Sequence, residues 1–355
     1  MRLNTNENPH PVPPEVVGRL SAALAEVVGG LNRYPDREFT ALREDLARYL
    51  GHDLTPAQIW AGNGSNEVLQ HVLQAFGGPG RTAMGFVPAY SMHSVIATCT
   101  GTLWVDGRRG RGTADGEDTG DGGTGVPGPA GGRFLLTPSS AARQVERADP
   151  DVVFLCSPNN PTGTALDPQV VEAVHDSTRG MVVVDEAYAE FARRGTPSAL
   201  TLLPGRERLI VTRTMSKAFA LAGARLGYLA ADPAVCDALR LVRLPYHLSC
   251  LTQAVARAAL AHAPELLATV SSLVEQRDRI VERTTGMGLS PEPSDANFVL
   301  IGGLPDERRI FQDLLAAGIL VRDVGLSHHL RVTAGTEEET TAFLDALAGA
   351  LLEDR

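Results

Sequence analysis

The sequence predicts an α/β fold, with a mostly parallel central sheet in a large domain and a smaller α+β domain. Three observations lead there. Short β-rich runs alternate with longer amphipathic stretches up to about residue 245. Those runs are apolar without alternation, which implies strands covered on both faces, as in a parallel sheet. Beyond them the pattern changes to a long helical tract followed by separate β-rich segments, a second unit of different make-up.

Taken in order, a first helix is expected over roughly 14–28, packing with the C-terminal unit. "GNGSNE" (62–67) opens a second, continued by "EVLQHVLQAF" (67–76). "RTAMGF" (81–86), "DVVFLC" (151–156), "MVVVDEAY" (181–188) and "RLIVTRT" (208–214) read as strands, with "PQVVEAVHD" (168–176) as a helix among them. This βαβ alternation calls for right-handed crossovers. The segment "GRRGRGTADGEDTGDGGTGVPGPAGG" (107–132) has almost no apolar side chains. It cannot offset the entropy of ordering itself, so a mobile surface insertion is expected there. The tract 251–285 is helical with a break near Pro264. "NFVLIGG", a helix around 306–317, "ILVRD", "HLRVTAG" and a terminal helix complete the second unit. The expected division is a large domain over 30–245 and a small one from 1–29 and 246–355.

Composition narrows the function. Net charge is −10 with no basic run, which argues against nucleic acid as a partner. The four cysteines have no C-x-x-C or metal-ligand spacing, so no metal is expected and the thiols read as reduced. The start "MRLNTNENPH" has no signal-peptide core, and no apolar run is long enough to cross a bilayer. A cytoplasmic protein with no membrane partner is expected.

One residue stands out. Lys217 is the sole lysine among 32 Lys plus Arg residues. Rarity alone could be codon bias. An ammonium, however, can be desolvated and become a nucleophile or base, whereas a guanidinium stays protonated. Ligands in open α/β sheets sit at the carboxyl ends of the strands, and four groups fall at such ends: Asp185, Asn160, the pair Ser216 and Lys217, and the helix opening at Gly64, Ser65 and Asn66. Singly, each except Lys217 reads as a cap or a turn. Together they describe a pyridoxal 5'-phosphate site. The lysine forms the Schiff base, the aspartate holds the pyridine nitrogen protonated, and a helix N-terminus takes the phosphate.

The motifs "LNTNENPH" (3–10), "NRYPD" (32–36), "GNGSNE", "PAYSMHS" (88–94) and "CSPNNPTG" (156–163) carry a broader likeness. So do "VVVDEAYAEF" (182–191), "RTMSKAFALAGARLGY" (213–228), "LPYHLS" (244–249), "SDANFVL" (294–300) and "LRVTAGT" (330–336). On these the sequence resembles the fold-type I, class II aminotransferases, specifically the histidinol-phosphate aminotransferase family. The resemblance covers almost the whole chain except the Gly-rich insert. It implies that Lys217 is the Schiff-base lysine and proton shuttle, with Asp185 and Tyr188 completing the catalytic set. It implies that Tyr188 and Asn160 hold the ring hydroxyl, that Tyr90 stacks on the ring, and that Ser65, Asn66, Ser216 and Arg225 hold the phosphate beside Gly64. Tyr34 would reach the cofactor of a partner subunit in a homodimer. Arg331 would clamp the donor's carboxylate, with Asn8 and Arg322 as further substrate-binding residues; an ion pair with Asp323 is the alternative for Arg322. Family members carry an N-terminal arm ahead of "LNTNENP", and here Met1 lies two residues upstream of that stretch.

The implied activity is a ping-pong transfer between histidinol phosphate and 2-oxoglutarate, in histidine biosynthesis. Two other activities fit the scaffold: an aminotransferase for aromatic or specialised-metabolite amino acids, and a decarboxylase. A cofactor-sensing regulator ranks last, having no fused DNA-binding domain to support it.

Overall fold

The computed structural model describes residues 1–112 and 133–352. Its strands are β1 (Ile59–Gly62), β2 (Thr82–Val87), β3 (Leu103–Arg108), β4 (Gly110–Gly112), β5 (Arg133–Leu135) and β6 (Val152–Cys156). They continue with β7 (Met181–Asp185), β8 (Leu209–Thr214), β9 (Gly227–Ala231), β10 (Ser290–Pro291), β11 (Phe298–Gly302) and β12 (Leu330–Thr333). The helices are α1 (Pro14–Val28), α2 (Thr40–Leu50), α3 (Ser65–Phe76), α4 (Met92–Cys99), α5 (Pro138–Ala148) and α6 (Pro168–Ser177). After these come α7 (Pro233–Val242), α8 (Cys250–Ala261), α9 (Ala263–Leu267), α10 (Val270–Gly286), α11 (Glu307–Ala316) and α12 (Glu337–Leu352).

Seven strands form the central sheet in the order β1-β9-β8-β7-β6-β2-β3. All neighbours run parallel except β9, which is antiparallel to both β1 and β8. Every residue of β6 and β7 is buried, as their unbroken apolar runs required. Helices start where the sequence supplies a cap. Asp167 before Pro168 and Asp232 before Pro233 each accept a backbone N–H two residues on, at 2.8 Å. Proline at the first helical position loses no hydrogen bond there. The expected break in the long tract falls at His262, with Pro264 inside the first turn of α9.

The smaller sheet is antiparallel, β10-β11-β12. Its core joins Leu3 to residues from Ile280 to Ala350. The larger core runs from Val16 to Leu266. Val16 of α1 and Ala256 and Ala259 of α8 belong to the larger core, and α1 packs along α8. An amphipathic face dictates that a helix is covered but not by which core. A third cluster, including Tyr188, Ala218 and Phe298, lies between the two.

The expected loop 107–132 needs a correction at its start. Gly107 and Arg108 end β3, and β4 pairs antiparallel with β5. Phe134 of this ribbon meets His329 edge-on at 5.7 Å between centroids. The rest of that segment, 113–132, lies outside the described residues. Among the described residues, no helix is long and apolar enough to cross a membrane, and no group of three or more His, Cys, Asp or Glu is placed to hold a metal.

Candidate active site

The carboxyl ends of β6, β7 and β8 lie side by side, with Cys156 paired to Asp185 and Asp185 to Thr212. They open into a cavity of about 1060 Å³, at the upper end of the range for small-molecule sites. Lys217 and Asp185 both line it, as do Tyr90, Tyr188, Asn160 and Arg225. Ser65, Asn66, Ser216, Arg322 and Arg331 share the same walls. Most of the residues singled out from sequence therefore converge on one space.

Asp185 is buried at the tip of β7. Its Oδ1 accepts from Ala187 N at 3.2 Å and from Thr212 Oγ1 at 3.4 Å. Its Oδ2 lies 3.1 Å from His93 Nε2. His93 is itself buried, stacked on Phe154 at 4.7 Å and edge-on to Tyr90 at 5.4 Å. A carboxylate so deep must be paired or hydrogen-bonded, and His93 is the side chain that makes this burial tolerable. Sequence reasoning missed it. The one available signal was its place three residues after Tyr90, in a motif otherwise read for the tyrosine.

Lys217 follows β8 and donates from Nζ to Thr5 O at 3.0 Å. Burial, reinforced by the positive charges of Arg331 and Arg225 and opposed by Glu7, pulls its pKa from 10.5 down to about 8. Such a group releases its proton near neutral pH, which a general base requires. The shift also has a consequence for stability. Between about pH 8 and 10.5 the unfolded chain holds this proton and the folded chain does not, so stability rises with pH across that window. The denaturation midpoint of the cofactor-free protein is expected to climb from pH 8 to 10. Lys217→Met should remove that part of the climb, and an unchanged slope would contradict the assigned shift.

The tyrosines and Asn160 form a chain of contacts. Tyr188 OH accepts from Asn6 Nδ2 at 3.0 Å and from Asn160 Nδ2 at 3.5 Å. Asn160 Oδ1 accepts from Arg331 Nη1 at 2.5 Å, and Arg331 Nη2 donates to Asn4 O at 2.6 Å. Tyr90 OH donates to Asn66 Oδ1 at 3.3 Å. Burial raises the pKa of both tyrosines, so both stay protonated donors at neutral pH. Arg322 and Arg331 are paired across an antiparallel bridge with backbone hydrogen bonds of 2.9 Å in each direction. Directly opposed residues in such a pair point to one side, so both guanidinium groups reach the same wall. Asp323 meanwhile accepts from Gly325 N at 2.8 Å.

A third corner is built for an anion. Gly64 has a φ of +82°, and a Cβ there would lie 2.3 Å from Arg225 Nη2. A Cβ on Gly227 would lie 2.1 Å from Ser65 N. Only glycine lets the start of α3 approach Arg225 and β9 so closely. Arg225 is held left-handed at φ +56°, uncommon for a side-chain-bearing residue and the kind of local strain that clusters at functional sites. Ser216 Oγ, which accepts from Thr214 Oγ1 at 2.9 Å, lines the cavity nearby. A helix N-terminus, a guanidinium and hydroxyls together suit a phosphate.

Three predicted residues do not line the cavity: Gly64, which directly precedes Ser65 in its wall, and Asn8 and Tyr34, which fall elsewhere. Asn8 does not line the cavity; its Nδ2 donates to Thr269 Oγ1 at 3.0 Å and to Ala218 O at 3.4 Å. Asn4, Thr5, Asn6 and Glu7 line it instead, because this strap is pinned by Leu3 N to Leu320 O and Thr333 N to Leu3 O. Asn6 sits at φ +56° with its side chain turned inward to Tyr188. Tyr34 is 80% exposed, away from its own chain's cavity, and stacks on Tyr246 at 4.5 Å.

Comparison with known proteins gives a consistent result. The family "Aminotransferase class I and II" matches residues 1–112 and 130–347. A histidinol-phosphate aminotransferase of Paenarthrobacter aurescens is 59% identical over 352 residues, covering 98% of this chain and 89% of that protein. One from Thermobifida fusca is 55% identical, covering 98% of this chain and 89% of that protein. The crystal structure of histidinol-phosphate aminotransferase from Sinorhizobium meliloti, in complex with pyridoxal 5'-phosphate, superposes with a TM-score of 0.84 at 26% identity. That match covers 100% of this chain and 92% of the other.

Proposed function

The chain belongs to the class I and II aminotransferase family, and on that premise we propose that it moves the amino group of histidinol phosphate to 2-oxoglutarate, reversibly. The products are imidazole acetol phosphate and glutamate. The observation that carries the reading is the meeting of a lysine of lowered pKa, a buried strand-end aspartate and an anion cradle in one cavity. The paired Arg322 and Arg331 favour a substrate that brings its own anionic group. One arginine wall can take a phosphate in one half-reaction and a carboxylate in the other.

The cofactor is pyridoxal 5'-phosphate, and the cradle at Gly64, Ser65 and Arg225 fits its phosphate. When bound, it supplies a carbonyl that captures the amine and a ring that takes up the electron pair left at the substrate's α-carbon. Lys217 Nζ takes the α-proton and returns it, as its lowered pKa allows. Asp185, steadied by His93 at Oδ2, would hold the ring nitrogen and keep it protonated. Tyr188 and Asn160 would hold the ring hydroxyl, and Tyr90 would stack on the ring. Arg331, held by Asn160, orients the donor's anionic group. We place Tyr34 against the cofactor phosphate of a partner subunit, which makes the working unit a homodimer. Support comes from the exposed side chains beside it, Leu31 and its stacking partner Tyr246.

The test is an absorbance titration of purified holoenzyme with histidinol phosphate and no keto acid. A single stoichiometric conversion of the cofactor band to its amine form is expected, reversed by 2-oxoglutarate. Conversion by phenylalanine but not histidinol phosphate would move the enzyme to an aromatic substrate. Release of CO₂ would make it a decarboxylase.

A further inference from the structure

The loop that begins α3 is tied to a distant surface. Glu67 Oε2 accepts from Asn63 N at 2.6 Å and from Asn63 Nδ2 at 2.8 Å. This is a capping arrangement in which the third helical residue reaches back to fix the chain ahead of the cap. Asn63 Nδ2 also donates to His247 O at 2.8 Å. A carboxamide has two N–H bonds, and here each goes to a different acceptor. One holds the phosphate cradle; the other holds the loop after α7.

That second loop is docked at more than one point. His247 Nε2 lies 2.8 Å from Ala61 O, and its ring stacks on Trp60 of β1 at 5.7 Å. A carbonyl oxygen only accepts, so Nε2 carries the proton there. The preceding residue, Tyr246, is held left-handed at φ +63° and stacks on Tyr34. Gln253 Nε2 donates to both Asp36 O and Leu248 O at 3.1 Å, joining the Tyr34 segment to the same loop. Tyr34 and Tyr246 are 80% and 40% exposed. The exposed pair and the cradle are therefore connected through Asn63 and the backbone of His247, beside the docking of the His247 ring on β1.

We propose that Asn63 is a positioning residue that couples the phosphate cradle to the Tyr34–Tyr246 surface, so that cofactor binding and self-association strengthen each other. This rests on the aminotransferase reading and on Tyr34 acting across a subunit interface. A phosphate at Gly64–Asn66 fixes the loop that Asn63 spans, and Asn63 passes that order to His247 and hence to Tyr246. By linkage, subunit contact at Tyr34 and Tyr246 fixes the cradle to the same degree.

The experiment measures self-association by sedimentation, with and without pyridoxal 5'-phosphate, for wild type, Asn63→Ala and Glu67→Gln. Melting curves of each cofactor-free protein report whether it is folded. In wild type the cofactor should tighten the dimer by about tenfold, within the usual range of coupling. In Asn63→Ala that ratio should fall to about threefold while the protein stays folded, the part that remains coming from the reach of Tyr34 to the phosphate. Glu67→Gln keeps the donor to His247 O and weakens only the hold on Asn63, so its ratio should lie between the two. A wild-type ratio in Asn63→Ala overturns the proposal. So does a wild type whose self-association ignores the cofactor. A wild type that binds no cofactor overturns the aminotransferase reading as well, and the titration above separates that case.

Discussion

Lys217→Ala should lower kcat by about 10⁴-fold or more, since it removes both the amine and the proton shuttle. Lys217→Arg is the sharper variant. It keeps the positive charge and approximate length, so a merely electrostatic role would survive it. A guanidinium cannot release its proton at working pH, and the surrounding burial that lowers the lysine's pKa cannot overcome that difference. We therefore expect Arg and Ala variants to be equally inactive in single-turnover assays with histidinol phosphate. A small amine added to Lys217→Ala should restore part of the proton transfer. Activity of the Arg variant above about one percent of wild type would contradict a general-base role, given the factors such bases contribute.

The second large effect is expected at Asp185. Asp185→Asn keeps the shape and the contact with Ala187 N but removes the charge that we assign to the ring nitrogen. A preorganised charge in a buried site is commonly worth about 10²- to 10³-fold in rate, and this one also pairs with His93. The expected result is a kcat loss of about 10³-fold with cofactor still bound. His93→Phe tests the same unit from behind, as it keeps the stack on Phe154 and removes the Nε2 contact. Its effect should appear in the pH profile of kcat more than in KM. If Asp185→Asn turned over normally in folded, loaded enzyme, the assignment of Asp185 to the ring nitrogen would be lost.

Residues differ in how far they could be read ahead of the structure. β6 and β7 were legible because strands buried on both faces leave unbroken apolar runs. Lys217 was legible because its chemistry has no substitute in a chain otherwise written with arginine. His93 was not, since a histidine on an apolar helix face has the pattern of an ordinary core residue. Asn6 and Asn8 lie two apart in one motif, and the pinning of the strap by Leu320 and Thr333 turned Asn6 inward. α1 showed an apolar stripe, but the choice of α8 as its cover, and so of the larger core, is a matter of packing.

By itself the sequence determined the chemistry: a lone amine, a strand-end carboxylate, a helix start suited to an anion, and the strands β2, β6, β7 and β8 among which they lie. These are local, because each depends on residue type and on neighbours a few positions away. Only the tertiary structure decided which groups meet. Asp185 finds His93 from 92 residues away, Arg331 finds Asn160 from 171, and Asn63 finds His247 from 184. Such contacts follow from the way sheet order and strap path close distant segments on one another. Their hydrogen bonds are directional, so a shift of one or two residues in either segment would pair different side chains.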